Sequence, residues 1–207
     1  MGGSRSHWEH VHSGRAPNEV SWYQLHAVRS LELIEKAAPE HTSSVVDVGG
    51  GASPLVDGLL ARGFGDIAVL DITETALARA RARLGAKAQK IAWIRADVTE
   101  WKPARTWDIW HDRAVFHFLT GKAQQDDYIG ALSAATRPGA TVIISTFAPD
   151  GPARCSGLPV QRYDAETLAA RLGPLFALRS SSRESHVTPW QAEQRFSYAV
   201  LQRLGSN

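Results

Sequence analysis

The chain has 207 residues, of which 43% are hydrophobic and 21% charged, with a formal net charge of +2. That composition suits one globular domain with a sizeable core, and the charge is too small to mark a nucleic-acid partner. Its one cysteine, Cys155, excludes an internal disulfide framework and fits a reducing compartment, and no apolar run is long enough to span a bilayer.

Residues 1–20 are polar and rich in turn formers, so an N-terminal arm is expected ahead of a single domain over residues 21–207. His7, His10 and His12 lie in this arm, but no cysteine or carboxylate cluster completes a coordination sphere. No metal is expected there, and the arm reads as loosely ordered. Trp8 stands out, because a large aromatic in a polar arm usually packs on something. The N-terminus also lacks the apolar core of a signal peptide, so a cytoplasmic location is expected. From Ser21-Trp22-Tyr23-Gln24 onward, Leu25, Val28, Leu31, Leu33 and Ile34 recur at helical spacing and predict a helix covering the sheet. Trp22 and Tyr23 at its start either pack on the surface or line a ligand pocket.

Val45-Val46-Asp47-Val48 predicts a buried parallel strand, and it breaks into Gly49-Gly50-Gly51. Glycines there allow positive φ and let a ligand approach the main chain. Ser53 suits an N-cap and Pro54 the first helical position, so a helix is predicted near 54–62, ended by Gly63. The pattern is strand, tight turn, helix: the entrance of a nucleotide-type site in a doubly wound sheet. A dinucleotide fingerprint requires a third glycine where this chain has Pro54, and Asp47 is a poor neighbour for a pyrophosphate. Both features argue against an NAD(P)-dependent oxidoreductase.

Ile67–Leu70 predicts a second strand ending at Asp71, about 20 residues past the glycines, where an acid can accept ribose hydroxyls. Thr73 caps a helix to about Leu84, stopped by Gly85. Ile91–Asp97 is a third strand with Asp97-Val98 at its end. Trp107–His111 is a fourth, followed by Asp112-Arg113 and a short helix bearing Phe116 and His117. Asp112 and Arg113 are either site residues or a structural ion pair, and His117 is either a core or a pocket histidine. After a helix near 124–136, Thr141–Phe147 is an apolar fifth strand. The loop from Ala148 to Arg162 is long for a compact domain, which favours function or disorder. Asp164 caps a helix ending at Leu172, and the segments 176–186 and 195–203 predict a closing hairpin.

The run Asp47-x-Gly49-x-Gly51 resembles the first motif of class I S-adenosylmethionine (SAM)-dependent methyltransferases, with Ser53 where that family often has glycine. The order of strands and helices matches that family too, including the final hairpin with an antiparallel last strand. The resemblance implies an α/β, doubly wound, mostly parallel seven-stranded sheet with helices on both faces. It implies SAM as cofactor, held by Asp47, Gly49, Gly50, Gly51, Asp71, Ile72, Asp97, Val98 and Asp112, with Asp97 near the adenine amine. The segment Trp110-His111-Asp112-Arg113 resembles the Trp-Asp-Arg run of thiopurine methyltransferases, with His111 inserted. The Trp22-Tyr23 segment and the run Gly63–Asp71 resemble both that branch and the lysine methyltransferases acting on translation factors.

The expected activity is methyl transfer to a small molecule, with a protein lysine acceptor or a non-catalytic SAM-binding role as alternatives. Trp22, Tyr23, Phe116, Arg113, His117 and Cys155 are the expected acceptor pocket. Any base would come from His111, His117 or His186, although in-line displacement at a sulfonium needs mainly alignment and exclusion of water. No nucleic-acid or membrane partner is expected.

Overall fold

The computed structural model describes residues 4–205. Strand β1 (Val45–Val48) is buried at every position because it lies inside the sheet, covered on both faces. That is why its sequence is a continuous apolar run interrupted only by Asp47. It pairs in parallel with β2 (Ile67–Asp71) on one side and β4 (Trp107–Arg113) on the other. β3 (Ile91–Arg95) continues in parallel past β2, and β5 (Thr136–Phe147) past β4. β9 (Glu193–Arg203) then lies antiparallel to β5, with β8 (Phe176–Val187) outside it. The order is β3-β2-β1-β4-β5-β9-β8, so the seven-stranded, mostly parallel sheet with an antiparallel last strand is as expected. The strand order reverses between β1 and β4, and in such sheets a crevice opens there at the carboxyl ends.

Helices cover both faces. Val45, Ile67, Val69, Ile109 and Ile143 pack with α2 (Val28–Ala37) and α3 (Leu55–Ala61). Their immediate neighbours Val46, Ala68, Leu70, Trp110, Val142 and Ile144 face the other way, onto α5 (Lys122–Ala135) and α6 (Ala165–Leu172). The strand period of two thus divides the apolar residues into two cores. α4 (Glu74–Leu84) follows β2, capped by the Thr73 hydroxyl and stopped at Gly85. Among the described residues, no helix is long and apolar enough to cross a membrane.

Three expectations are corrected. The polar arm is not loosely ordered: residues Arg5–Gly14 form helix α1, whose N-terminus is capped by Ser4 Oγ accepting the His7 N–H. Trp8 holds it down, with ring centroids 4.8 Å from Phe118 and 6.0 Å from Trp22. Glu9 accepts the Glu74 N–H, and Arg79 donates to the Arg15 carbonyl, which ties α1 to α4. The helix expected from Ser21 begins only at Val28. Residues 21–27 instead wrap across the strand ends, where the Ser21 carbonyl accepts from His186 Nε2 at 2.8 Å and the Trp22 carbonyl from Arg113 Nη1 at 3.4 Å. A helix here would commit those carbonyls to its own ladder. The loop after β5 contains a small hairpin, β6 (Arg154–Cys155) and β7 (Leu158–Pro159), turning through Ser156 and Gly157, both at positive φ.

Candidate functional site

A cavity of about 590 Å³ opens at the carboxyl ends of the strands, beneath α1 and the segment 20–27. That lies within the usual range of small-molecule sites, about 300–1,000 Å³. Its floor is the glycine turn. Gly49 and Gly51 take φ of +69° and +31°, and the Gly49 N–H donates to the Leu70 carbonyl at 2.7 Å. The turn is tightly enclosed: a Cβ on Gly49 would lie 2.1 Å from Val115 Cγ2, and one on Gly51 would lie 2.4 Å from Asp71 Oδ2. α3 then starts at Leu55, one residue later than expected, with Ser53 Oγ accepting the Leu55 N–H at 3.2 Å.

Three acids line the cavity, two of them, Asp47 and Asp71, against this turn. Asp47 Oδ1 accepts from His111 Nδ1 at 2.7 Å, and His111 Nε2 lies 2.9 Å from Ser30 Oγ. A carboxylate only accepts, so the ring donates through Nδ1 and a neutral ring takes the Ser30 proton at Nε2. All three side chains are buried. Asp47 Oδ2 is left beside Gly50, where an added Cβ would lie 2.4 Å from it. Asp71 Oδ1 accepts both the Thr73 N–H and hydroxyl at 2.8 Å, leaving Oδ2 against Gly51. Burial raises this carboxyl to about 6, against the opposing pull of the Thr73 hydrogen bonds and with a further upward push from Asp47. Asp97 repeats the arrangement, its Oδ1 accepting from the Thr99 N–H at 2.9 Å and hydroxyl at 2.7 Å. The repeated Asp-x-Thr, at residues 71–73 and 97–99, is a sequence signal that went unread.

Asp47, Gly49, Gly50, Gly51, Asp71, Ile72, Asp97 and Val98 all line the cavity, but Asp112 does not. Along β4, His111 faces the cavity while Trp110 and Asp112 point to the opposite face, as the period of two requires. Asp112 is fully buried, accepting the Val115 N–H at 2.8 Å, the Phe116 N–H at 3.0 Å and the Tyr128 hydroxyl at 2.6 Å. Burial raises its carboxyl to about 6, against those bonds. Its position fixes the backbone turn whose Ala114 and Val115 line the cavity.

The second half of the cavity includes Trp22, Tyr23, Arg113 and Cys155, together with Phe118, Phe147 and Phe196. His117 and Phe116 are not part of it. His117 is buried between the rings of Phe118 and Phe147, and its Nδ1 accepts the Phe147 N–H at 3.3 Å. Burial, helped by the charge of Arg113, lowers this imidazole to about 3, so near pH 7 it is neutral, with its single proton on Nε2. Phe116 packs in the opposite core, on Tyr128. His186 spends Nε2 on the Ser21 carbonyl, which leaves His111 as the one of the three candidate bases that lines the cavity. Burial pushes the Cys155 thiol up, and its Sγ lies 3.7 Å from Ser21 Oγ, so it forms a neutral wall.

Arg113 clamps this half. Its Nε donates to the Tyr198 hydroxyl at 3.1 Å, Nη2 lies 3.5 Å from Glu184 Oε2, and the guanidinium sits 4.4 Å from the centre of the Phe196 ring. Tyr198 donates to Glu184 at 2.9 Å, and Glu184 accepts from Gln24 at 3.1 Å. β4, the β8–β9 hairpin and the segment 20–27 are joined through one charge. Sequence reasoning missed Ser30, Trp8, Phe147 and Phe196 as lining residues. Two of them left a trace: Trp8 as the large aromatic of a polar arm, and Ser30 as a polar residue on the inward face of α2 beside Leu31 and Ile34.

Residues 45–139 match the family model described as a methyltransferase domain. No curated protein is similar enough in sequence to match. Among solved structures, a protein studied for the conversion of a disulfide bond into a thioacetal group during echinomycin biosynthesis is 19% identical, with a TM-score of 0.75, covering 99% of this chain and 94% of its own. The 1,6-didemethyltoxoflavin-N1-methyltransferase of Burkholderia thailandensis, with bound 1,6-didemethyltoxoflavin and S-adenosylhomocysteine, is 22% identical with a TM-score of 0.74, over 97% of this chain and 87% of its own. The N-methyltransferase NodS of Bradyrhizobium japonicum WM9 with S-adenosylhomocysteine is 15% identical with a TM-score of 0.69, over 94% and 97%. At these identities the likeness is one of fold.

Proposed function

We propose that this class I SAM-dependent methyltransferase passes its methyl group to a small molecule rather than to a protein lysine. The class and the cofactor rest on the methyltransferase-domain match over residues 45–139 and on a fold shared with methyltransferases holding S-adenosylhomocysteine. The residue assignments and the acceptor are our reading.

The site fits the cofactor. Asp47 Oδ2 and Asp71 Oδ2 lie against a turn with no side chains of its own, and the second oxygen of Asp97, which also lines the cavity, is a third acceptor. In our assignment Asp71 takes the ribose hydroxyls, Asp97 the adenine amine, and Asp47 the ammonium of the methionine end. Gly49–Gly51, Ile72 and Val98 line the space between them. When bound, the cofactor supplies a methyl group activated by its sulfonium. The chain's task is alignment and exclusion of water. His111 orients Asp47 through Nδ1 and is itself fixed by Ser30. Trp8 and Trp22 close the top.

The observation that carries the small-molecule reading is the roof. The half of the cavity beyond the glycine turn is partly covered by α1 and the segment 20–27 and walled by Trp22, Phe118, Phe147 and Phe196. A lysine side chain is better served by an acidic groove, and the charged residue on this apolar half is Arg113. Two of the similar structures are N-methyltransferases, one of them with a small heterocycle bound. The free, buried Cys155 fits work in a reducing compartment such as the cytoplasm. Incubation with methyl-labelled SAM and a cell extract, followed by separation by size, tests the reading. Label is expected in the small-molecule fraction; label concentrated in one protein band overturns it.

A further inference from the structure

Among the described residues, the buried polar atoms without a hydrogen-bond partner include two on side chains that line the cavity, Arg113 Nη2 and Gln194 Oε1. Gln194 lies on β9, where the period of two puts it on the same face as Phe196 and Tyr198. That face is otherwise an aromatic wall, with Phe196 4.9 Å from Phe147. Gln194 is 7% exposed, and a buried amide oxygen without a donor is a standing cost to the fold. Its neighbours do not meet the need. The cross-strand partner His186 donates to the Ser21 carbonyl. Arg113 spends Nε on Tyr198 and Nη1 on the Trp22 carbonyl, and its Nη2 stands 3.5 Å from Glu184 without a hydrogen bond.

We propose that Gln194 Oε1 and Arg113 Nη2 are the two polar anchors of the acceptor subsite. The ligand they fit is a flat, uncharged heterocycle presenting one N–H donor and one carbonyl acceptor, the edge of a lactam. The inference rests on reading this cavity as the acceptor site of a methyltransferase. The chemistry follows from the wall. The unpartnered atom of Gln194 is its amide oxygen, which is neutral and accepts, so it calls for an N–H. Arg113 has its charge balanced by Glu184 and keeps a spare N–H, so it calls for a carbonyl oxygen rather than an anion. Phe147, Phe196 and Trp22 supply apolar surface for a planar body. Without Gln194 the wall would accept any flat apolar ring, and with it the site penalises a ring lacking the N–H, whose binding leaves the amide oxygen unpaired.

Calorimetry with quinolin-2-one and its N-methyl derivative, on protein saturated with S-adenosylhomocysteine, tests this. The wild-type protein is expected to bind quinolin-2-one about tenfold more tightly than the N-methyl compound. Gln194→Met keeps the length and removes the acceptor, so the preference should vanish while S-adenosylhomocysteine affinity stays within about twofold. Gln194→Glu keeps an acceptor and should retain the preference. Equal binding of the two compounds by the wild-type protein, no binding of either, or an unchanged preference in Gln194→Met overturns the proposal. Failure of S-adenosylhomocysteine itself to bind would instead count against the cofactor assignment, and the quinolinone pair is then compared on the ligand-free protein with the same criteria.

Discussion

Asp71 is placed under opposing demands, and they make its behaviour testable. Burial holds its carboxyl at about 6 in the fold, above the ordinary 3.8. Between those values the folded chain binds more protons than the unfolded one. The contribution of this group to stability is therefore largest below 3.8, falls as pH rises to about 6, and is level above that. Ligand binding has the opposite sign, because ribose hydroxyls donate to the ionised form. S-adenosylhomocysteine affinity, measured by calorimetry, is expected to weaken as pH falls from 7.5 through 6 to 5. Asp71→Asn should flatten that profile and weaken binding at pH 7.5 by about ten- to a hundredfold, the worth of hydrogen bonds to a charged group at about 1.5–3 kcal/mol. A profile of unchanged slope in Asp71→Asn would remove Asp71 from the site. At this scale residue type and strand end sufficed to bring Asp47, Asp71 and Asp97 to the cavity wall. The sequence was misleading at Asp112 and His117, because proximity in sequence to a strand end does not say which face of the strand is the cavity side. His111 and Asp112 are adjacent, and only the first turns toward the glycines.

Helix α1 shows the same limit among elements. Its ten residues are polar, rich in histidine and serine, and show no long apolar stripe. Only Trp8 hinted at a docked segment. By contrast α4 and α6 were legible to within a residue or two, since Thr73, Gly85, Asp164 and Gly173 mark their ends locally. The segment 21–27 was illegible because the groups that hold its carbonyls straight, His186 and Arg113, lie 165 and 91 residues away. A helix of ten residues is marginal alone in water, so α1 owes its order to Trp8 on Phe118 and to its bonds with α4. Since Trp8 and His12 line the cavity, cofactor binding should steady the helix. Amide exchange across Arg5–Gly14 is expected to slow by an order of magnitude or more on adding S-adenosylhomocysteine, and Trp8→Ala should remove most of that protection. Equal exchange with and without ligand would show that α1 does not close over the site.

For the molecule as a whole, the two halves of the cavity differ in how the chain builds them. The half around the glycine turn, which we assign to the cofactor, comes from consecutive β-turn-α units between Asp47 and Thr99, where local patterns suffice. The other half gathers Trp8, Trp22, Arg113, Phe147, Gln194 and Phe196 from nearly the full length, so no local pattern announces it. The halves should respond separately to mutation. Glu184→Gln leaves the Arg113 charge without its counter-ion and loosens the joint between hairpin and segment 20–27. Removal of one partner of a buried pair typically costs about 3–5 kcal/mol, and this pair, 10% and 19% exposed, stands toward the lower end. A urea midpoint lowered accordingly, with S-adenosylhomocysteine affinity within about twofold, is the expected outcome; a tenfold loss of that affinity would mean that the halves are coupled.

The docking of α1 also has a consequence for how the protein is made. Trp8 rests on Phe118, and the joint beside it needs β9, which comes after every other described element of the fold. During synthesis α1 emerges ahead of every surface it will cover, and it is too short to persist as a helix alone. It must wait, exposed, while the sheet assembles, because contacts this distant in sequence form late. This early segment is then among the last to settle, and until it does the cavity lined by Trp8 and His12 stays uncovered on that side.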